Sequence, residues 1–400
     1  MMRKIPFSPP DISDEEIREV CDALRSGWIT TGPRTKELER QVAAFCGNST
    51  AVCLSSATAC LEMTLRLLGI GPGDEVITSA YTYTASASPV AHVGAKLVLV
   101  DTAKDSFQMD YDKLSAAITP RTKAIIPVDV GGILCDYDKV YAAVESRREL
   151  FRPASPIQEQ LGRVAVLVDA AHSFGAIRQG RRSGSFGDFT TFSFHAVKNF
   201  TTAEGGAVTW RDDLGLDSEA LYHQFMLMSL HGQSKDALAK TSLGAWEYDI
   251  VAPLYKCNMT DVCSAIGLAQ MRRFPELLEK RYRLVRLYDE LLADSDVVPA
   301  VHLKEDERSS CHLMLTRLMG HSMAERNALI EALAGEGIAT NVHYKPLPLL
   351  TAYKNMGFDG KDYPNAVAQF ENEITLPLYS TLTEEDVRLV CQRLLAHLKG

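Results

Sequence analysis

The sequence lacks any apolar run near the roughly 20 residues that a bilayer-spanning helix requires. Its mainly apolar stretches, such as Val164–Val168 and Leu97–Val100, are a fraction of that length, so no membrane span is expected. Met1–Pro10 is short and broken by prolines, without the apolar centre of a secretory signal. A cationic excess is also missing: 42 Lys and Arg against 51 Asp and Glu give a formal net charge of −9. That argues against a general nucleic-acid binder, which presents a basic face, but leaves room for a small anion in a locally basic pocket. The nine cysteines show neither paired nor metal-type spacing and sit mostly in apolar segments, so a reduced, cytoplasmic compartment without a metal centre is expected. Repeats and low-complexity tracts are absent. With 46% apolar and 23% charged residues in 400, disorder, collagen and coiled coil are excluded.

What is present is an ordered alternation of elements. Ser13 with Glu16 forms a capping box, and Ile17, Val20 and Leu24 follow at helical spacing until Gly27. A loop with Thr30-Thr31-Gly32-Pro33 precedes a second helical run from about Lys36 to Phe45. From residue 50 to about 210, short apolar runs alternate with helical segments: Ala51–Leu54, Glu75–Thr78, Lys96–Val100, Ala124–Val128, Val164–Val168, Thr190–Phe194 and Ala207–Trp210. This pattern predicts an α/β layer fold with a mostly parallel sheet. Arg148–Gly162, polar and proline-bearing, reads as a surface excursion. Asp261–Leu291 reads as one long helix or two joined near Pro275; beyond it, Ser322 with Glu325 and Thr383 with Asp386 start two more helices. The expected organisation is an N-terminal arm and large domain over 1–260, linking helices over 261–295 and a small α+β domain over 296–400.

Three strand ends carry chemistry. Val164–Val168 runs into Asp169-Ala170-Ala171-His172, and ligands of open α/β sheets lie at the carboxyl ends of strands. An isolated Asp there often only caps a turn, but a second strand ends in Ser193-Phe194-His195-Ala196-Val197-Lys198-Asn199. A third, Cys53-Leu54-Ser55-Ser56-Ala57-Thr58-Ala59, turns directly into a helix whose small residues leave amide N–H groups open, which suits a phosphate. An acid, a lysine and a phosphate turn at adjacent strand ends point to pyridoxal 5′-phosphate, which uses a Schiff-base lysine and an acidic partner for its ring nitrogen.

The ordered set SSATA, AYTYTASA, VDAAHSFGA, SFHAVKNFTTAEGG, LYKCNMTD and NVHYKPLP resembles the DegT/StrS group of sugar-nucleotide aminotransferases within fold-type I pyridoxal-phosphate enzymes. The likeness runs from about residue 5 to the C-terminus. It implies a large domain with a mostly parallel mixed sheet between helices, plus a smaller α+β C-terminal domain. Carried over residue by residue, it makes Lys198 the Schiff-base lysine and proton carrier, Asp169 the partner of the ring nitrogen and His172 the neighbour of the ring hydroxyl. Ala57, Thr58 and Ser193 match phosphate binders, with Ala57 standing where the family's turn has glycine. Tyr83, rather than Tyr81, matches the ring-stacking aromatic. Asn258 matches an asparagine that reaches the cofactor of the other subunit, so a homodimer with shared sites is implied. Thr30, Lys256, His231, His343 and Tyr344 are candidates for the sugar nucleotide, with Arg34 and Lys36 weaker ones.

The resemblance further implies that an amino acid, glutamate by default, supplies the amine to a nucleotide-linked keto sugar, a 4-keto-6-deoxyhexose by default. A sugar-dehydrating branch of the family has histidine in place of the lysine, so Lys198 favours amino transfer. Two alternatives stay open. A desulfurase of the same fold would share Asp169, His172 and Lys198 but needs a reactive cysteine on a mobile loop, for which Cys311 is the one faint candidate. A ligand-binding regulator without turnover would keep the pocket, although no effector domain is visible.

Overall fold

The computed structural model describes residues 4–234 and 247–399. Its main sheet contains β1 (Ala51–Leu54), β2 (Glu75–Ser79), β3 (Lys96–Val100), β4 (Thr122–Ile126) and β5 (Ala165–Asp169). After a small hairpin, β6 (Ile177–Arg178) and β7 (Arg181–Arg182), it gains β8 (Phe189–Ser193) and β9 (Gly206–Trp210). The order is β1-β9-β8-β5-β4-β2-β3, and β9 alone runs against its neighbours. Burial on both faces explains why these strands read as continuous apolar runs rather than alternating ones.

The run Asp261–Leu292 is a single helix, capped by Thr260 and carrying Pro275 inside it. It packs against the N-terminal helices Asp14–Arg25 and Pro33–Cys46. The capping box of the first helix is also a tertiary tie: Glu16 accepts from the Ser13 amide (2.7 Å) and pairs with Arg273 of the long helix (2.9 Å). A second sheet, β10 (Val297–Pro299), β12 (Met314–Leu318) and β13 (Glu373–Leu376), is antiparallel in the order β10-β12-β13 and is accompanied by helices Met323–Gly335 and Glu384–Lys399. Between its first two strands, β11 (Glu307–Arg308) leaves to pair with β6.

Arg148–Gly162 departs from expectation. It forms a 3₁₀ turn and the helix Pro156–Leu161, and it is packed rather than looped out. Phe151 and Gln158 are buried, while Ser155 Oγ and Gln158 Nε2 both donate to the Leu68 carbonyl (2.7 and 2.8 Å). Its polar residues therefore satisfy buried main-chain groups, which a polarity reading mistakes for solvent exposure. Among the described residues no helix is long and apolar enough to cross a membrane.

Candidate active site

Sheet direction brings the chemistry to one edge. β1, β2, β4, β5 and β8 end there and β9 begins there, and a cavity of about 390 Å³ opens between these ends and residues His343 and Tyr344. Of the residues singled out from sequence, Ala57, Thr58, Tyr83, Asp169, His172, Ser193, Lys198, His343 and Tyr344 all line it.

The loop carrying Lys198 is held at both ends. Phe194 and Phe200 flank it, pack edge to face at 4.7 Å, and both lie against Phe174 (5.4 and 5.1 Å) in an aromatic cluster that also takes in Phe45, Phe192 and Phe274. Main-chain bonds from Phe194 N to Gly205 O (2.8 Å) and from Thr202 N to Phe194 O (2.9 Å) close the loop's base. Loss of water around Lys198 pulls its ammonium down to about 8, with Asp169 opposing the shift. Asp169 ends β5; burial raises its carboxyl above the ordinary range, against the Ser86 hydroxyl (2.6 Å), the Ala171 amide (3.1 Å) and Lys198. His172 is driven well below the ordinary imidazole range by burial first, then by Lys198 and His343, so it is neutral.

At the other end of the cavity, Ser56 caps the helix Ala57–Leu67 and its hydroxyl accepts the Ala59 amide (3.0 Å). The amides of Ala57 and Thr58, in the first turn, have no acceptor among the described residues. Register places Leu54 and Ser193 on either side of Gly206, so the turn and Ser193 are neighbours. A Cβ on Gly206 would stand 2.5 Å from both Ala57 N and the Ser56 carbonyl carbon, so close approach of backbone forms this cradle. Ala57, in the position where glycine is usual, is an ordinary first helical residue and needs no left-handed backbone. Two free amides at the positive end of a helix fit a phosphate. The exposed Tyr83 ring (60%) offers a stacking face, and the Asp169 and Lys198 pair fits a ring nitrogen and an aldehyde. The residues present thus fit pyridoxal 5′-phosphate.

Four candidates lie outside this chain's cavity. Asn258 bridges to Leu54 and donates to Thr31 Oγ1 (2.6 Å), and Lys256 donates to Asn258 Oδ1. His231 donates its amide to Tyr255 O (2.6 Å), and Thr30 accepts from the Asp261 amide (3.0 Å). Arg34 and Lys36 are engaged by Glu19 and Tyr222.

Sequence reasoning missed several contributors. Ser86 lies in the YTYTASA motif but only tertiary contact shows it on Asp169. Asn199, next to the lysine, donates to Ser310 O (2.6 Å) and pairs with His312 Nδ1 (2.9 Å), whose ring lies 4.4 Å from that of His172. Cys311, the desulfurase candidate, is buried, and burial pushes its thiol up to about 12, so it supplies no thiolate.

A lysine with a lowered pKa facing a buried carboxylate at strand ends, beside a free helix N-terminus, defines a fold-type I pyridoxal-phosphate enzyme. Residues 10–395 match the model of the DegT/DnrJ/EryC1/StrS aminotransferase family, and the chain belongs to that family. It is a pyridoxal-phosphate-dependent aminotransferase. It is 37% identical over 402 residues to the spore coat polysaccharide biosynthesis protein SpsC of Bacillus subtilis (strain 168), covering 99% of this chain and 97% of that one. Among solved structures it is similar to the "Putative sugar aminotransferase Spr1654 from Streptococcus pneumoniae", PMP-form, at 55% identity and a TM-score of 0.97, covering 99% of each chain. It is also similar to Helicobacter pylori PseC, an aminotransferase involved in the biosynthesis of pseudoaminic acid, at 27% identity and a TM-score of 0.86, covering 99% of this chain and 100% of that one.

Proposed function

We propose that this aminotransferase moves the amino group of an amino acid, L-glutamate by default, onto a keto sugar linked to a nucleoside diphosphate, a 4-keto-6-deoxyhexose by default. The product would feed cell-surface glycan or secondary-metabolite amino-sugar synthesis. The observation that carries the chemistry is the lowered Lys198 ammonium facing Asp169 in one cavity. The sugar assignment is supported by the names of the relatives, which concern polysaccharide and pseudoaminic acid.

When bound, pyridoxal phosphate supplies an electron-accepting ring that stabilises charge at the carbon bearing the transferred nitrogen. In this reading the amides of Ala57 and Thr58 and the Ser193 hydroxyl bind its phosphate, Tyr83 covers the ring face, Asp169 holds a proton on the ring nitrogen and His172 lies beside the ring hydroxyl. Lys198, partly free amine near neutral pH, takes and returns the migrating proton. Asn258, Lys256, His231 and Thr30 would complete the site of a second copy in a homodimer, where the sugar nucleotide's anionic groups meet Lys256. The exposed arm residues Ile17 and Leu24 (both 55%) offer apolar surface for that copy to cover. A cytoplasmic location accords with substrates of this class.

Glutamate added to the cofactor-loaded enzyme should bleach the lysine-bound cofactor's absorption, and nucleotide-linked 4-keto-6-deoxyhexoses should restore it. Product NMR then locates the new amine. Absence of any spectral change with every amino donor tried would sink the transaminase reading, and recovery only with free keto sugars or keto acids would sink the nucleotide-sugar reading.

A further inference from the structure

One wall of the cavity hides a carboxyl group that the chemistry above does not use. Glu373, first residue of β13, is fully buried. Its Oε2 accepts the His343 amide (2.8 Å), and its Oε1 is hydrogen-bonded to the Thr375 hydroxyl. The same hydroxyl lies 2.9 Å from Nδ1 of His343. His343 lines the cavity with Phe7 stacked on its ring at 5.6 Å, and its Nε2 has no partner among the described residues. Arg326 donates to the main-chain carbonyls of Phe370 (3.1 Å) and Glu373 (2.6 Å). Among the described residues no ion pair holds the Glu373 carboxyl, although the Arg326 charge acts on it.

We propose that Glu373, Thr375 and His343 form a proton relay ending in the active-site cavity, in which Glu373 is a positioning residue that sets the hydrogen-bonding sense of His343 Nε2. A hydroxyl has one proton to give, so the chain has two ordered states. With Glu373 ionised, Thr375 donates to Oε1 and accepts from Nδ1–H, which leaves Nε2 a bare acceptor. With Glu373 protonated, the acid proton sits on Oε1, because Oε2 is occupied by an amide. It is donated to Thr375, Thr375 donates to Nδ1, and Nε2 carries hydrogen. Passage from the ionised to the protonated state takes up one proton from the cavity at Nε2, while the Nδ1 proton passes to Thr375 and the Thr375 proton to Oε1; the reverse passage releases one proton from Nε2.

The surroundings poise the relay near neutrality. Burial lifts the Glu373 carboxyl to about 8, against Thr375, the His343 amide and Arg326. Burial and the Lys198 charge hold His343 down to about 3, so its ring stays neutral and only its tautomer changes. The other titratable groups facing the relay are Tyr81 and Tyr344, raised by burial, and His172 and His312, lowered by it. None of the four changes charge between pH 6 and 9; Lys198, at about 8, does, and it is retained in Glu373→Gln, so that variant separates its titration from that of the relay. At neutral pH the cavity therefore receives an Nε2–H, a donor suited to a substrate carboxylate or keto oxygen, and above about pH 8 it receives an acceptor.

The inference rests on His343 facing substrate, but its test does not need turnover. The cofactor-loaded enzyme, labelled with ¹⁵N-histidine, is followed by NMR from pH 6 to 9.5, with His343 assigned by its absence in His343→Gln. The expected result is an exchange of the protonated-type and bare-type nitrogen signals of His343, with a midpoint near pH 8. Glu373→Gln should lock Nε2–H at every pH, and Thr375→Val, retaining the fold by circular dichroism, should abolish the pH-linked exchange. A single pH-invariant tautomer in the wild type, or persistence of the exchange in Glu373→Gln, would overturn the relay. Neither result would touch the transaminase reading, which the absorption test decides.

Discussion

Tyr344 Oη lies 3.0 Å from Nε2 of His172, while the Gly131 amide donates to Nδ1 of the same ring (3.2 Å). A neutral imidazole has one donor and one acceptor nitrogen, so the amide fixes Nδ1 as acceptor and places the hydrogen on Nε2. Tyr344 then accepts from His172 and is left with its own hydroxyl hydrogen to give to the cavity. Tyr344→Phe removes both functions. The expected outcome is about a tenfold fall in kcat/KM for glutamate, the size of one hydrogen bond to a polar partner, with an unchanged melting temperature to within a few degrees. Stopped-flow absorption with glutamate checks it, and an unchanged rate would remove Tyr344 from the site.

Capture of pyridoxal phosphate by the cofactor-free chain should follow the free amine of Lys198. Because its pKa is lowered to about 8, the rate rises with pH to about 8 and flattens above it, whereas an ordinary lysine would keep climbing towards pH 10. Lys198→Ala should abolish turnover while leaving phosphate-directed binding measurable by equilibrium dialysis. Normal turnover in that variant would refute the assignment.

Ser86 supplies a 2.6 Å bond to Asp169 from behind the cavity lining. Ser86→Ala leaves that carboxylate with one donor fewer. We expect cofactor affinity to weaken by about tenfold, the cost of a hydrogen bond to a charged group. Absorption titration measures it, with Thr58→Ala as a comparison at the opposite end of the cavity.

Gly206→Ala tests the phosphate cradle. The added methyl meets the Ala57 amide nitrogen and the Ser56 carbonyl carbon at 2.5 Å and the Phe192 carbonyl oxygen at 2.7 Å, all backbone atoms that have no rotamer to escape by. Cofactor should be lost at concentrations that saturate the wild type, and the melting temperature should fall. Wild-type binding would show that the turn is looser than its geometry.

Stability of the cofactor-free chain should decline with rising pH on account of two buried acids. Glu373 is raised from 4.5 to about 8 and Asp129 from 3.8 to about 6, each chiefly by burial. The folded state binds these protons more tightly than the unfolded one, so their contribution is complete below the unfolded values and lost as pH climbs through the folded ones. Melts between pH 4 and 9 should show the Glu373 part spread over 4.5 to about 8 and flattened in Glu373→Gln. An equal slope in that variant would mean the carboxyl titrates normally.

The strands were legible because a sheet buried on both faces demands short continuous apolar runs; all seven main-sheet strands lie within about two residues of where those runs place them. Capping boxes at Ser13, Ser322 and Thr383 announced three helices, since the pattern is local and each side chain serves its own first turn. The packing of Arg148–Gly162 was not legible, because its polar side chains bond main-chain groups distant in sequence.

The order of motifs along the chain by itself pointed to the family, the cofactor and seven cavity residues that follow strands of the main sheet, because strand ends in a parallel sheet share one edge; that His343 and Tyr344 join them while Thr30, His231, Lys256 and Asn258 do not was decided by the tertiary structure. Only the tertiary structure decided how those residues are poised. Ser86 on Asp169, Gly131 on His172 and Glu373 behind His343 are contacts across 83, 41 and 30 positions of sequence. Protonation depends on burial and on such distant partners, and neither is written in local sequence.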